Sequence, residues 1–459
     1  MLHSVSSPAR EVCGRLREAG HEAFVVGGAV RDLVRNTTPD DYDLATSATP
    51  EQVSYLFRRV IPTGIEHGTV TVLLGDKSVE VTTFRTESVY TDGRRPDSVN
   101  FVTTIADDLA RRDFTINGMA LDPVLETFLD PFKGEEDLHA GTIRAIGNPD
   151  ERFAEDALRL LRAVRFATQL QFTIEAGTWD ALGRASRSLG KVSQERMRDE
   201  LNKILAAKRP SVGLRLMCGG GLLQVVLPEL SAGVKVEQRG DHRFDVFEHS
   251  ILTCDAAPRG NPTVRLAGLF HDIAKPASLK VDADGHRTFH GHDQASARQA
   301  ETLLRRLRYP NAVIGQVTHL IRHHMFHYTA EWTDAAVRRF LARVGPENVD
   351  NLFALRQADS FAQRGSSTDL RALHTFRDRI GDALANEHAL SRKDLAVNGH
   401  DLASIGIPPG RVMGTIIDYL FETVLDDPKQ NARGQLLKIA RSFYDSRLKD
   451  AADHGSDAG

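Results

Sequence analysis

The sequence predicts a small α/β head followed by a long α-helical body. Three observations lead there. The first 145 of 459 residues alternate short β-rich runs with helical patterns. From about residue 150 the strand signals nearly vanish, and apolar residues recur at helical spacing. A local basic balance begins at the same place: residues 151 to 215 hold thirteen Lys or Arg against eight Asp or Glu.

The elements follow in order. Residues 8 to 19 and 50 to 60 read as helices. FVVGG (24–28), TVTVLLG (69–75) and VEVTTFR (79–85) read as strands, from their β-branched content and flanking glycines. EDALRLLRAVRFATQL (155–170) and SQERMRDELNKILAA (193–207) read as amphipathic helices. The helical pattern continues to about 445, interrupted by PRGNP at 258–262 and KVDADGHRTFHGHDQ at 280–294. The end of the chain lacks apolar anchors and is expected to be disordered over 451–459.

A chain of this length holds two to four domains. Hydrophobic residues make up 41% and charged residues 26%, the balance of an ordinary soluble protein. With no apolar run of eighteen residues, no membrane span is expected, and the first residues lack the apolar core of a signal peptide. Cys13, Cys218 and Cys254 are scattered, which points to a cytoplasmic protein with reduced thiols. The net charge of −4 excludes a uniformly cationic surface but leaves room for local basic patches.

The stretch FVVGGAVRDLVRNTTPDDYDLATSATP (24–50) joins two features that conflict. A glycine turn suits phosphate, while a carboxylate pair repels it. Asp41 and Asp43 alternate with Tyr42, and alternate residues of a strand share a face. A cation between them resolves the conflict. Mg²⁺ takes one or two carboxylates plus substrate phosphates. The glycine turn at Gly28 then lets backbone amides approach the phosphates, and Arg31 adds a charge-assisted contact. Such a site activates a hydroxyl for attack on an α-phosphorus, with pyrophosphate leaving. An isolated D-x-D or GG is weak; their order and spacing after a strand make the signal.

GGAVRD, DYDLATSATP and RRDFTINGMAL (111–121) resemble the class II tRNA nucleotidyltransferases and bacterial poly(A) polymerases. DPFKGEEDLHAGTIR (130–144), EDALR (155–159) and SQERMRDEL (193–201) continue the likeness without a gap. The resemblance implies a nucleotidyltransferase head with a mixed sheet, and two-metal, Mg²⁺-dependent transfer from CTP and ATP to a tRNA 3′ end without a nucleic-acid template. It also implies base reading by Asp156 and Arg159. On one helix these two share a face. The Asp accepts the exocyclic amine of cytosine or adenine and the Arg donates to the ring acceptor. Uracil and guanine set a carbonyl against the Asp, leaving polar groups unpaired. Arg162 continues that face. Arg165 falls opposite Asp156 on an ideal helix, so only the resemblance assigns it to the nucleotide. Arg112 is a further expected triphosphate contact. Asp113 and Asn117 are either contacts or structural posts, and Glu80 is either a third carboxylate or an edge-strand charge.

TGIEHGTVTV (63–72) resembles the CCA-adding and A-adding forms rather than the poly(A) polymerases, and 88–101 resembles their flexible loop. Full CCA addition is the expected activity, with an A-adding enzyme or a poly(A) polymerase as alternatives. The order His249, His271-Asp272, Asp359 resembles the HD metal-dependent phosphohydrolases. Imidazole with carboxylate suits Ni²⁺, Mn²⁺, Co²⁺ or Fe²⁺. His292 and His324 are candidates for a second metal, whereas His290 and His323 are expected to be structural. A rival of another class is therefore an HD phosphohydrolase with an RNA-binding head. The expected division is a head over 1–145, a helical neck and body over 146–235, an HD domain over 236–375 and a tRNA-gripping tail over 376–450. The sequence leaves the oligomeric state open.

Overall fold

The computed structural model describes residues 5–87, 99–238, 243–284, 286–364, 371–385 and 390–447. Most of the flexible-loop segment and the whole of 451–459 lie outside the described residues. Ser6 caps the first helix, α1 (Ser7–Glu18), and Val12, Cys13 and Leu16 form its buried face. β1 (Ala23–Val26) is buried along its whole length, as a central strand must be. The helix α2 (Gly28–Val34) leaves directly from its end. β2 (Asp43–Thr46) returns antiparallel to β1. A Thr49–Gln52 capping box opens α3 (Pro50–Leu56). This helix is shorter than the expected 50–60, because Phe57 is extended and Val60 already belongs to a strand.

That strand, β3 (Val60–Gly64), forms an antiparallel meander with β4 (Thr69–Leu74) and β5 (Lys77–Thr83). β5 runs parallel to β2. A ribbon of β6 (Arg85–Glu87) and β7 (Val99–Phe101) stands apart. After α4 (Ile105–Ala110), β8 (Ala120–Asp122) and β9 (Thr127–Leu129) complete a seven-stranded sheet in the order β3-β4-β5-β2-β1-β8-β9. One parallel pair among antiparallel ones makes the sheet mixed, as expected.

The stretch DPFKGEEDLHAGTIR works as a brace. Asp130 accepts the amides of Gly134 and Glu135 at 2.6 and 2.9 Å and so starts α5 (Gly134–His139). A Cβ at Gly134 would sit 2.2 Å from the Thr115 carbonyl oxygen, so only glycine lets this helix approach the 111–121 stretch. Buried Asp137 then accepts from Thr115 Oγ1 at 2.7 Å and from Arg144.

The body opens with α6 (Pro149–Glu155), α7 (Leu158–Leu170), α8 (Ala176–Ala185) and α9 (Gln194–Leu205). One apolar core runs from the head through the helix Arg371–Ala385, which contributes Phe376 and Ile380. A separate core, built around Leu402, Ile416, Leu420 and Leu436, holds residues 395–444 together. Among the described residues, no helix is long and apolar enough to cross a membrane.

Head and body are joined by a buried ion pair. Arg162 of α7 donates to Asp113 at 2.6 Å, and Asp113 is only 4% exposed. Burial alone would raise this carboxyl. The Arg162 charge and a hydrogen bond from Asn117 prevail and hold it at about 2, below the ordinary 3.8. A depressed carboxylate pKa gives stability that is present above pH 4 and is lost as pH falls towards 2. Asp113→Asn is therefore expected to cost about 2 kcal/mol at pH 7. Urea unfolding at stepped pH should show the gap to the parent closing between pH 4 and 2; a constant gap would show that the pair does not hold the junction.

Candidate functional site

A cavity of about 520 Å³ opens between the head and the body. Its head side is built by the end of β1, the start of β2 and the 111–117 stretch. Gly27 has φ +68°, the left-handed turn that lets α2 leave β1 at once. A Cβ there would meet Arg112 Nη1 at 3.1 Å and Asp43 Oδ2 at 3.7 Å. The glycine therefore keeps open the space between a carboxylate and a guanidinium. Gly28 and Arg31 line the same wall. Arg31 Nη1 donates to Asn117 Oδ1 at 3.0 Å, and Asn117 Nδ2 donates to Asp113 Oδ1 at 3.1 Å. Arg112 is steadied by Asp108 at 3.2 Å.

The strand expected over Asp41 and Asp43 begins only at Asp43. Asp41 precedes it in a bend, without ladder pairing, because β1 ends opposite Asp43. The shared face survives nonetheless: Tyr42 is buried between two exposed carboxylates. Asp43 lines the cavity, and Glu80 pairs with it in register on β5. β5 is an interior strand, so Glu80 is not an edge charge. Asp43 is exposed overall, but the cavity wall strips water from its carboxyl and raises it, Arg112 opposes the rise, and Asp41 adds to it. Glu80 is likewise raised by burial and by Asp43. Carboxylates that destabilise one another this way fit a hard divalent cation.

The helix expected to carry both Asp156 and Arg159 is broken between them. Asp156 is extended, with φ −144° and ψ 106°, and separates α6 from α7. Its Oδ1 accepts the Leu158 amide at 3.0 Å, because an aspartate satisfies a helix start better than a helix interior. Its Oδ2 accepts from Arg196 of α9 at 2.7 Å. Arg159 donates to Glu155 at 2.5 Å and to the Arg111 carbonyl at 2.9 Å. The break also removes the angular argument that gave Arg165 no role by spacing. With Asp156 off the helix, the ideal-helix angle between them has no meaning, and Arg165 lines the cavity with Arg159 and Arg162. Arg165 pairs with buried Glu200 at 3.2 Å. Arg196, Gly27 and Phe166 also line the cavity and were not predicted. Arg196 and Gly27 stood inside quoted motifs, but nothing in residue type separated them from neighbouring Arg or Gly.

A second cluster lies in the later helices. His249 comes from the helix Val246–Ala256, His271 and Asp272 follow the helix Pro262–Phe270, and Asp359 comes from the helix Val349–Arg364. All four are almost fully buried. His249 Nε2 lies 3.1 Å from both His271 Nε2 and Asp359 Oδ1. His271 Nε2 lies 3.2 Å from Asp272 Oδ2. His292 and His324 reach Asp272 Oδ1 at 3.2 and 3.9 Å. In His271, His292 and His324, Nδ1 faces a backbone carbonyl at 2.7–2.8 Å, which turns Nε2 inward. His323 instead packs on His319, and His290 is exposed. Burial opposes protonation of His271, yet Asp272 and Asp359 raise its pKa to about 10. Lys275 and Arg356 already pair with Asp272 and Asp359 at 2.6 and 3.0 Å, and the inward imidazole nitrogens beside the two carboxylates make a donor set that fits a transition metal.

The family called "Poly A polymerase head domain" matches residues 23–144, "Probable RNA and SrmB- binding site of polymerase A" matches 171–233, and "tRNA nucleotidyltransferase domain 2" matches 292–440. The chain is 48% identical over 223 residues to the CCA-adding enzyme of Limosilactobacillus reuteri, covering 49% of this chain and 55% of that one. In that match the chain spans about half the length of its relative. It is 48% identical over 442 residues to the CCA-adding enzyme of Ligilactobacillus salivarius, covering 96% and 97%. The crystal structure of the Bacillus stearothermophilus CCA-adding enzyme in complex with CTP superposes with a TM-score of 0.73 at 26% identity, covering 97% of this chain and all of that one. Near-complete coverage at this identity establishes that the chain belongs to the CCA-adding enzyme family.

Proposed function

We propose that this protein builds or repairs the 3′-terminal CCA of tRNA from CTP and ATP, without a nucleic-acid template, in the cytoplasm. One observation supports the reading most: Asp43, the Gly27 turn, Arg31, Arg112 and Asp156 line one cavity. Asp41 and Asp43, with Glu80 beside them, would hold Mg²⁺, which when bound would withdraw charge from the α-phosphate and favour loss of the hydroxyl proton. Gly28, Arg31 and Arg112 position the triphosphate, with Arg162 and Arg165 alongside. The terminal 3′-oxygen of the tRNA attacks the α-phosphorus. Its proton is lost, the bond to the β-phosphate breaks and pyrophosphate leaves.

Base choice falls to Asp156 and Arg159. The Asp156 carboxylate has about four lone-pair sites. Two are used by Leu158 and Arg196, which fix its direction. The remaining sites take the exocyclic amine of cytosine or adenine, and Arg159 donates to the ring acceptor. The tail, with its own core, grips the tRNA away from the reacting end.

A tRNA transcript lacking its last three nucleotides, incubated with the protein, Mg²⁺, CTP and ATP, should gain CCA when its 3′ ends are sequenced. Only A after a preformed CC would make the protein an A-adding enzyme, and a long A tail a poly(A) polymerase. Asp41→Ala or Asp43→Ala should lower addition by at least about 10³-fold while the circular dichroism spectrum is unchanged. Asp156→Ala should relax the preference for C and A over U and G; unchanged selectivity would remove Asp156 from base choice.

We infer a second, hydrolytic centre from the buried histidine cluster. His249, His271, Asp272 and Asp359 would hold a transition metal, with His292 and His324 beside Asp272 for a second ion. The bound metal supplies a nucleophile for phosphoester hydrolysis. With Ni²⁺, Mn²⁺ or Co²⁺ the protein should hydrolyse 2′,3′-cyclic AMP or p-nitrophenyl phosphate, and His249→Ala should abolish this while sparing CCA addition. Absence of hydrolysis with all three metals would leave the cluster a structural element.

A further inference from the structure

Phe166 has no role in the chemistry above, yet it sits within the basic wall of the cavity. Its ring centre lies 4.1 Å from the guanidinium carbon of Arg165, 5.5 Å from that of Arg31 and 5.6 Å from that of Arg162. All four residues line the cavity. The ring itself is buried and is held edge-on by Phe114, at 5.8 Å and 80°. Its position is therefore set by the core.

Each arginine has a polar anchor behind it. Arg31 donates to Asn117, Arg162 to Asp113, and Arg165 pairs with Glu200. Three guanidiniums around one ring also repel one another. Burial pushes Arg165 down to about 10, with Glu200 opposing and the charges of Arg162 and Arg31 adding to the fall. An aromatic face offsets this repulsion through its quadrupole. A carboxylate in the same place would offset it too, but would repel a phosphate. The ring gathers the cations without weakening their charge towards a ligand.

We propose that Phe166 is a positioning residue that aims Arg31, Arg162 and Arg165 jointly at one polyanion, the triphosphate of the incoming nucleotide. It acts through the three arginines and makes no contact with the base. The proposal rests on the nucleotide reading of the cavity.

The test uses the full-length protein. Phe166→Leu keeps an apolar side chain and removes the quadrupole, and Phe166→Tyr restores the ring. Calorimetric binding of cytidine, CMP, CDP and CTP separates the phosphates from the base. For Phe166→Leu, CTP affinity should fall about tenfold. The loss should shrink stepwise through CDP and CMP and vanish for cytidine. On the tRNA transcript, KM should rise alike for CTP and ATP, kcat should change less, and the preference for C and A should be kept. Phe166→Tyr should recover the phosphate dependence. An equal loss for cytidine and CTP would overturn the proposal, because the ring would then serve the base or the pocket's shape. An unchanged phosphate series would overturn it as well. Should Phe166→Leu fail to fold, Phe166→Met carries the same comparison. Failure of the parent protein to bind CTP at all would instead overturn the nucleotide reading itself.

Discussion

Arg31, Asn117, Asp113 and Arg162 form one hydrogen-bonded chain across the junction of head and body. The rest of the site depends on it. Arg31 belongs to the helix that starts at the glycine turn, and Arg162 belongs to the first long helix of the body. Asp113 is buried and charged, so it is tolerable only while Arg162 answers it. A head that shifted against the body would leave a buried carboxylate unpaired. The wall that faces the glycine turn and the wall that carries Arg159 are thereby locked at a fixed distance. A cavity lined by Arg31 from the head and by Arg162 and Arg165 from the body needs that distance fixed if one ligand is to meet all three.

The same chain explains how an acidic protein presents a cationic cavity. The net charge is −4, but Arg31, Arg111, Arg112, Arg159, Arg162, Arg165 and Arg196 all line one space. Each carboxylate that offsets them has a defined direction. Asp108 sits behind Arg112, Asp113 behind Arg162 and Glu200 behind Arg165. Their charge keeps neighbouring arginines bearable, while Asp43, Asp113 and Asp156 are the carboxylates that line the cavity. Local arrangement, not net charge, sets the field that a polyanion meets.

Much of this was legible in the sequence, for specific reasons. Asp41 and Asp43 were readable because alternation around Tyr42 puts both on one side, and the inward turn of Tyr42 achieves this even before strand pairing begins. The histidine cluster was readable through the resemblance of the order His249, His271-Asp272, Asp359 to the HD phosphohydrolases, and the fold brings these four side chains together. The helix break was not. EDALR fits helical spacing, and only the capping of Leu158 by Asp156 reveals that the chain restarts there. The same misreading of the helix is why spacing alone gave Arg165 no role. Phe166, Gly27 and Arg196 were hidden because their roles are set by what they touch across the fold. Sequence patterns report a residue's own helix or strand, not its partners from elsewhere.

The two clusters of chemistry also share a strut. α9 holds Arg196 against Asp156 and Glu200 against Arg165. Its other end runs into the carbonyls of Leu205 and Ala207. Buried Arg265 donates to both, with Ala207 at 2.6 Å. Arg265 lies on the helix Pro262–Phe270, which leads directly into His271 and Asp272. An arginine is suited to this place because its planar fork satisfies several carbonyls at once, and a lysine would leave some of them unpaired. The end of the helix that holds Arg196 against Asp156 is thus capped by the helix that leads into the histidine cluster. Arg265 thereby ties the C-terminal end of α9 to the helix that leads into His271 and Asp272.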